Sequence, residues 1–312
     1  MLTRLRFLIF TLWLGLFMGA CVHAAAAGVV IVSSERSAAY VDAVDALVKE
    51  LERGGLSRYD MLQLTVPELA AAGPLSPKLF VAFGAEAAQA LAKAESRAPV
   101  LCALLPRSSF ERILQVSGRK SSVQFSALYL DQPLSRQLDL IRVALPAAHR
   151  IGVLWGAESQ SQAAALKTQA QARGLELVEA SVERDASVFS SLKRVLEYAD
   201  VLLAVPDPQV YNSNSIQNIL LASFRAKVPL AAFSPAYVRA GALLAVHVTP
   251  AQIGVQAGSI ARGVLQGRAL SATPLYSQDF SVTVNDHVAR SLGLTLDAQA
   301  LNVRLHRGEG AP

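Results

Sequence analysis

The sequence predicts an α/β protein made of two doubly wound, parallel-sheet lobes, and three observations carry that expectation. Apolar runs of strand length alternate with amphipathic helices along nearly the whole chain. Those runs are apolar throughout, as strands covered on both faces require. The series restarts at Ile151, and the roughly 285 residues after the N-terminal segment exceed the span typical of one domain.

The first series opens with Val29–Val32 as a strand. Tyr40, Val41, Val44, Leu47, Val48 and Leu51 then recur at helical spacing, and Gly54-Gly55 ends that helix. Leu79–Phe83 is the next strand and runs through Gly84 into a helix over Ala85–Lys93. Val100–Leu105 and Val123–Tyr129 follow as strands, and a helix over Pro133–Leu145 connects to the second series.

The second series begins with the strand Arg150–Trp155 and a helix over Gln160–Arg173, ended by Gly174. Leu175–Val178 reads as a strand, and Val188, Phe189, Leu192, Val195 and Leu196 mark a helix. The strand Val201–Val205 precedes a helix carrying Ile216, Ile219, Leu220 and Phe224 on one face, and Pro229–Phe233 is a further strand. Thr249-Pro250-Ala251-Gln252 specifies a helix start with N-cap Thr, Pro at the first position and Gln completing a capping box. A last strand, Phe280–Val284, leads into Asn285, and the tail from Arg304 is expected to fray.

Residues 1–27 carry the pattern of a secretory signal peptide: Arg4 and Arg6, the apolar run Phe7–Met18, then the small residues before Gly28. The apolar core is shorter than the roughly 20 residues a membrane span needs. A periplasmic protein is therefore expected. Met18-Gly19-Ala20-Cys21 also resembles a lipobox, which gives the alternative of lipid anchoring through Cys21. Without residues 1–27 the 29 basic residues fall by two, to 27 against 24 acids, a net charge of +3. No basic stripe interleaves with aromatics, so nucleic acid is not an expected partner. Cys102 lies in an apolar run and reads as a buried small hydrophobe.

Phosphate-binding loops, a dinucleotide fingerprint and a nucleophile elbow are all absent from the sequence. His149, His247, His287 and His306 stand apart, so no metal or other cofactor is expected, and no nucleophile is matched to a base. The chain therefore reads as a binding protein and not as an enzyme. In open α/β sheets, ligands bind beyond the carboxyl ends of strands, where helix N-termini offer unpaired N–H groups. The turns at such positions supply the candidate ligand-binding residues Ser33, Ser34, Gly84, Ala85, Glu86, Trp155, Asp207, Tyr211, Phe233 and Ser234. Alternatives stand beside several of them. Ser34 or Ser37 caps the first helix, Asp207 either braces its Pro-flanked turn or faces the cleft, and Trp155 either stacks on a ligand or packs between layers.

Ala199–Asp207 resembles the strand and "PD" turn of one ABC-transporter substrate-binding family, the periplasmic type I-like group of amino-acid receptors that includes the tryptophan-tyrosine receptors. Lys227–Phe233, Ala240–Leu243, Gly254 and the helix to Gly267, and Val284-Asn285 with Ala289–Leu294 continue the resemblance, as does Val81–Leu91 earlier. The chain departs from the family's pattern at Pro208–Tyr211, at Glu86 and at Leu105–Ser109. The resemblance implies a cleft between lobes that the chain crosses three times. It assigns 28–130 plus 244–277 to one lobe and 131–243 plus 278–312 to the other. It further implies a monomer that closes on a small amino-acid-like or carboxylate solute and delivers it to an ABC permease. The alternative is a sensory or partner-binding protein of the same fold with a membrane partner of its own.

Overall fold

The computed structural model describes residues 28–94, 96–183 and 187–309. The expected signal segment and Cys21 lie outside the described residues. In chain order the first lobe contains β1 (Val29–Ser33), α1 (Ala38–Arg53), β2 (Met61–Thr65), α2 (Val66–Ala71), β3 (Leu79–Phe83), α3 (Ala85–Lys93), β4 (Val100–Leu105), α4 (Arg107–Ser117) and β5 (Phe125–Tyr129). β1, β3, β4 and β5 are buried along their whole length, which explains their uninterrupted apolar sequences. β2 is a half-exposed edge strand, and its mixed sequence gave no such signal.

The chain then forms α5 (Leu134–Ala144), β6 (Arg150–Trp155), α6 (Ala163–Gln171), β7 (Glu176–Ser181), α7 (Val188–Tyr198), β8 (Val201–Leu203), α8 (Ile216–Arg225), β9 (Leu230–Ala232), α9 (Pro235–Ala240) and β10 (Leu244–His247). Asp200 fixes the start of β8 against β6. Its carboxylate accepts from the Arg150 guanidinium at 2.7 Å and from the backbone N–H groups of His149 and Arg150. Then come α10 (Pro250–Leu265), β11 (Leu275–Tyr276), β12 (Ser281–Val284), α11 (Asp286–Ser291) and α12 (Ala298–Glu309). The capping box read at Thr249 is present, with Thr249 and Gln252 exchanging both bonds.

Two six-stranded sheets result, in the orders β11-β5-β4-β3-β1-β2 and β12-β10-β9-β8-β6-β7. All pairings are parallel except β10 with β12, which closes the second sheet antiparallel. The return to the first sheet therefore differs from expectation. Leu244–His247 pairs with β9 and β12 in the second sheet, so the crossing falls after His247 and not before Leu244. The resemblance placed the boundary four residues early because β10 runs directly into the α10 cap. The first sheet regains the chain through α10, which packs along α1. A Cβ on Gly254 would strike the Ala43 carbonyl, and one on Gly258 would meet the Glu50 side chain, so glycine sets how closely these helices approach.

The lobes are joined by 130–133, 248–249 and 277–280. Arg136 ties the first and third of these segments together. It donates to Gln132 Oε1 at 2.6 Å and to the Ser277 carbonyl at 2.9 Å, and its guanidinium lies 4.2 Å from the Phe280 ring centroid. Gln256 of α10 holds the third segment by accepting from Ser277 Oγ and the Gln278 N–H. The C-terminal tail does not fray at Arg304. Helix α12 runs on to Glu309, burying Leu301 and Leu305, and the His306 ring stacks 3.9 Å from Phe280.

Candidate functional site

On the first lobe the β1 and β3 carboxyl ends lie side by side, which brings Ser33 and Ser34 to Gly84, Ala85 and Glu86. Ser34 does not cap α1. Its hydroxyl donates to the Phe83 carbonyl at 3.1 Å and accepts from the Ala87 N–H at 3.0 Å, locking the two turns together. Ser37 stands at the N-cap of α1 without making a cap bond, and donates to Glu35 instead. Gly84 has φ +89°, and a Cβ there would run into the Tyr40 hydroxyl and Ser34 Oγ. Only glycine suits both the left-handed backbone and the crowding. Ala85 and Glu86 are exposed in the first turn of α3, where N–H groups have no acceptor in their own helix.

Beside them, β4 ends in a deformation. Leu104 has φ +55°, and the β4–β5 register shifts between Ala103 and Leu105. Bulges of this kind re-aim a strand end, and they cluster at binding sites. The strand then delivers Arg107 as the first residue of α4. Its N–H is capped by the Asp131 carboxylate at 2.5 Å, its Nε donates to Glu111 at 2.7 Å, and its Nη1 lies 3.4 Å from the Tyr276 hydroxyl. Burial pushes the Asp131 carboxyl above its ordinary range against the pull of the Arg107 N–H. Tyr276 packs edge-on to Tyr129, with ring centroids 5.3 Å apart. Neither Arg107 nor Asp131 was among the candidates from sequence. The signal for Arg107 was its place in the Leu105–Ser109 departure, while Asp131 and Tyr276 join it only through folding.

On the second lobe, Asp207 is 3% exposed and its carboxylate is fully engaged. It accepts from the Ser159 N–H and hydroxyl, both at 2.9 Å, from the Glu158 N–H at 3.1 Å and from the Gln209 N–H at 2.9 Å. Asp207 thus braces the β6–α6 turn against its own turn. Gly156 leaves the room it needs, since a Cβ there would strike the carboxylate. Trp155 packs between layers. It is 2% exposed, and its indole N–H donates to Glu179 at 2.7 Å.

Tyr211, Phe233 and Tyr237 form an edge-to-face run, with centroids 6.0 and 5.0 Å apart. Tyr211 is buried, and that burial pushes its phenol well above the usual range. Phe233 is half-buried, and Tyr237 donates to the Tyr211 carbonyl at 3.3 Å. Ser234 caps α9 through a bond from the Tyr237 N–H.

The lobes also touch outside the connecting segments. Arg112 of α4 reaches Glu158 in the β6–α6 turn at 3.1 Å. Because the Glu158 N–H is held by Asp207, this pair couples α4 of one lobe to the buried brace of the other.

Two α/β lobes joined by three connections invite a direct comparison with known proteins. Residues 74–304 match the ABC transporter substrate binding protein family. The chain belongs to that family. Among curated proteins, the tyrosine-binding protein of Clostridioides difficile (strain R20291) is 24% identical over 165 residues, 52% of this chain and 47% of that protein. The aligned segment thus spans about half the length of that relative.

Solved structures show the shared fold. The ligand-free, open substrate binding protein with adhesive properties from Clostridium difficile matches with a TM-score of 0.68 at 21% identity, covering 86% of this chain and 96% of that one. The ABC domain in complex with L-Trp from Streptococcus pneumoniae gives 0.60 at 19% identity, covering 88% and 96%. A conserved domain protein from Vibrio cholerae gives 0.60 at 22% identity, covering 89% and 98%.

Proposed function

We propose that this family member is a periplasmic, monomeric receptor that closes its lobes on a small amino-acid-like or carboxylate-bearing solute and delivers it to an ABC importer. The observation that supports it is the Arg112–Glu158 contact, which sets α4 of the first lobe against the β6–α6 turn of the second. Ligand contacts from both lobes favour the closed state, and a membrane partner recognises that state.

Ser33, Ser34, Gly84 and Ala85 are assigned to the anionic end of the solute, beside the first-turn N–H groups of α3. Glu86 is exposed next to them and takes an ammonium group. Phe233 and Ser234 approach from the second lobe. Asp207, Trp155 and Tyr211 shape that lobe from within. An amino-acid class of ligand is supported by the tyrosine-binding relative and by the L-Trp complex of the pneumococcal structure. The site pairs no nucleophile with a base, so binding without turnover is the reading it supports. Nucleic acid has no place in it.

A melting-shift screen of amino acids, purines, sugars and dicarboxylates tests the proposal. A ligand at about 100 times its Kd stabilises the fold by roughly 2.7 kcal/mol. Shifts from sugars or nucleosides alone would overturn the ligand class, and robust turnover of any substrate would overturn the receptor reading. A permease and ATPase encoded beside the gene would separate delivery to an importer from sensing.

A further inference from the structure

We infer that the outer face of α7 and α8 is a docking surface for an anionic phospholipid membrane, a role separate from the cleft. The two helices lie side by side on one face of the second sheet, burying Leu192, Val195, Ile219 and Leu220 beneath them. Phe189 and Leu221 border the groove between the helices, and Tyr198 and Phe224 are exposed on flanks away from it, each of the four between 48% and 58% exposed. The other exposed large apolar side chains are scattered over separate elements. Between the helices runs a groove of about 700 Å³, with Leu192, Ile219 and Ala222 in its lining and Phe189, Leu221 and Arg225 along it.

The charge on this face is one-sided. Among the described residues of the two helices and the segments flanking them, Lys193, Arg194, Arg225 and Lys227 are exposed, against the exposed acids Glu183 and Glu197. None of the four cations forms an ion pair among the described residues. The sequence has no continuous basic stripe, but helical spacing sets three of these cations beside apolar side chains, a local pairing that the linear reading passed over. Lys193 lies one turn from Phe189, Tyr198 one turn from Arg194, and Arg225 one turn from Leu221.

Half-exposed aromatic and aliphatic side chains among unpaired lysines and arginines suit the headgroup boundary of a bilayer. There the rings enter the interface while the long cationic stems lie along it and keep their charge in the headgroups. Aromatic side chains and arginine suit protein interfaces too, but lysine is depleted there, so Lys193 and Lys227 and the excess positive charge favour an anionic bilayer. Anionic lipid supplies the complementary charge, and each lysine or arginine near such a surface adds to the attraction.

The test is co-sedimentation of purified protein with vesicles of phosphatidylcholine alone or with about one-third phosphatidylglycerol. Binding is expected to the phosphatidylglycerol vesicles and to weaken steeply with salt. Lys193→Glu/Arg225→Glu should lower that binding more than about tenfold. Phe189→Ser/Phe224→Ser should weaken it even at low salt. Both variants change exposed side chains, and circular dichroism checks that they remain folded. Equal binding to neutral vesicles, no binding at low salt, or binding that survives both variants would overturn the proposal. So would a concentration-dependent dimer lost in the phenylalanine variant without vesicle binding, which would assign the face to a second copy of the chain.

Discussion

The Arg112 guanidinium and the Glu158 carboxylate meet at 3.1 Å, one from each lobe. Their side chains are 55% and 30% exposed, so the pair sits in the range of surface ion pairs worth about 0.2–1 kcal/mol. Arg112→Ala should enlarge the ligand-free protein in small-angle scattering and weaken ligand binding by up to about fivefold at low salt. Exchanging the two residues, Arg112→Glu with Glu158→Arg, should recover most of the loss. An unchanged radius and affinity in the single variant would remove the pair from the closing mechanism.

Asp207→Ala should destabilise the protein by roughly 3 kcal/mol or more, because it strands buried donors from Glu158, Ser159 and Gln209. Asp207→Asn, which keeps one carbonyl oxygen, should lose less. Urea melts of both variants check this, and a fully stable Asp207→Ala protein would contradict the bracing role.

At the helix pair of the first lobe, Gly254→Ala should cost about 1–3 kcal/mol and Gly254→Val more, since either side chain drives α10 off the Ala43 carbonyl. Thermal unfolding reads the loss directly. Substitution at Gly267, whose surroundings are open, serves as the contrast, since its φ of +91° is its only strain.

His247 gives a pH dependence whose sign is fixed. Burial lowers its folded-state pKa, against a partial lift from the backbone bond to Val248, and its Nε2 lies 2.9 Å from Thr283 Oγ1. The unfolded chain therefore takes up the proton first as pH drops below about 6.5. Stability should rise with pH across the window from the lowered folded value up to about 6.5, and the contribution should be flat above it. His247→Gln should flatten the slope in denaturant melts taken at pH values across that window.

Asp200 acts at lower pH. Burial alone would raise its carboxyl, but the Arg150 guanidinium and two backbone N–H groups hold it down to about 2. Its contribution should be complete above the ordinary value near 3.8 and be lost as pH falls toward about 2. Asp200→Asn should make acid unfolding less steep, and an acid titration followed by circular dichroism compares the two proteins.

Much of the fold was legible because both faces of the central strands are covered. Val29–Val32, Leu79–Phe83 and Arg150–Trp155 announce themselves as apolar blocks, and the Thr249 capping box marks a helix start outright. β2 and β11 escaped because edge strands are half-exposed and short, so neither alternation nor a run survives in Met61–Thr65 or Leu275-Tyr276. The candidate site was legible as a set of turns, not as chemistry. Strand order brought Ser34 to Gly84, as the βα pattern implied. Whether a polar side chain faces the cleft or braces a turn depends on partners far away in sequence. Ser159 is 48 residues from Asp207, and Glu158 is 46 from Arg112, and no local pattern encodes either separation.

The threefold crossing also fixes the order in which the molecule can be completed. The first lobe begins at Val29, yet its α1 surface stays open until Gly254 and Gly258 arrive, after nearly the whole second lobe has been made. The second lobe in turn waits for β12 to cover the edge of its sheet beside β10. A growing chain therefore cannot finish one lobe and start afresh on the other. Both reach their final form within the last stretch of synthesis, and no single cut yields either lobe whole. An elongating chain halted before Pro250 should remain protease-sensitive in both halves, and one carried past Leu305 should not.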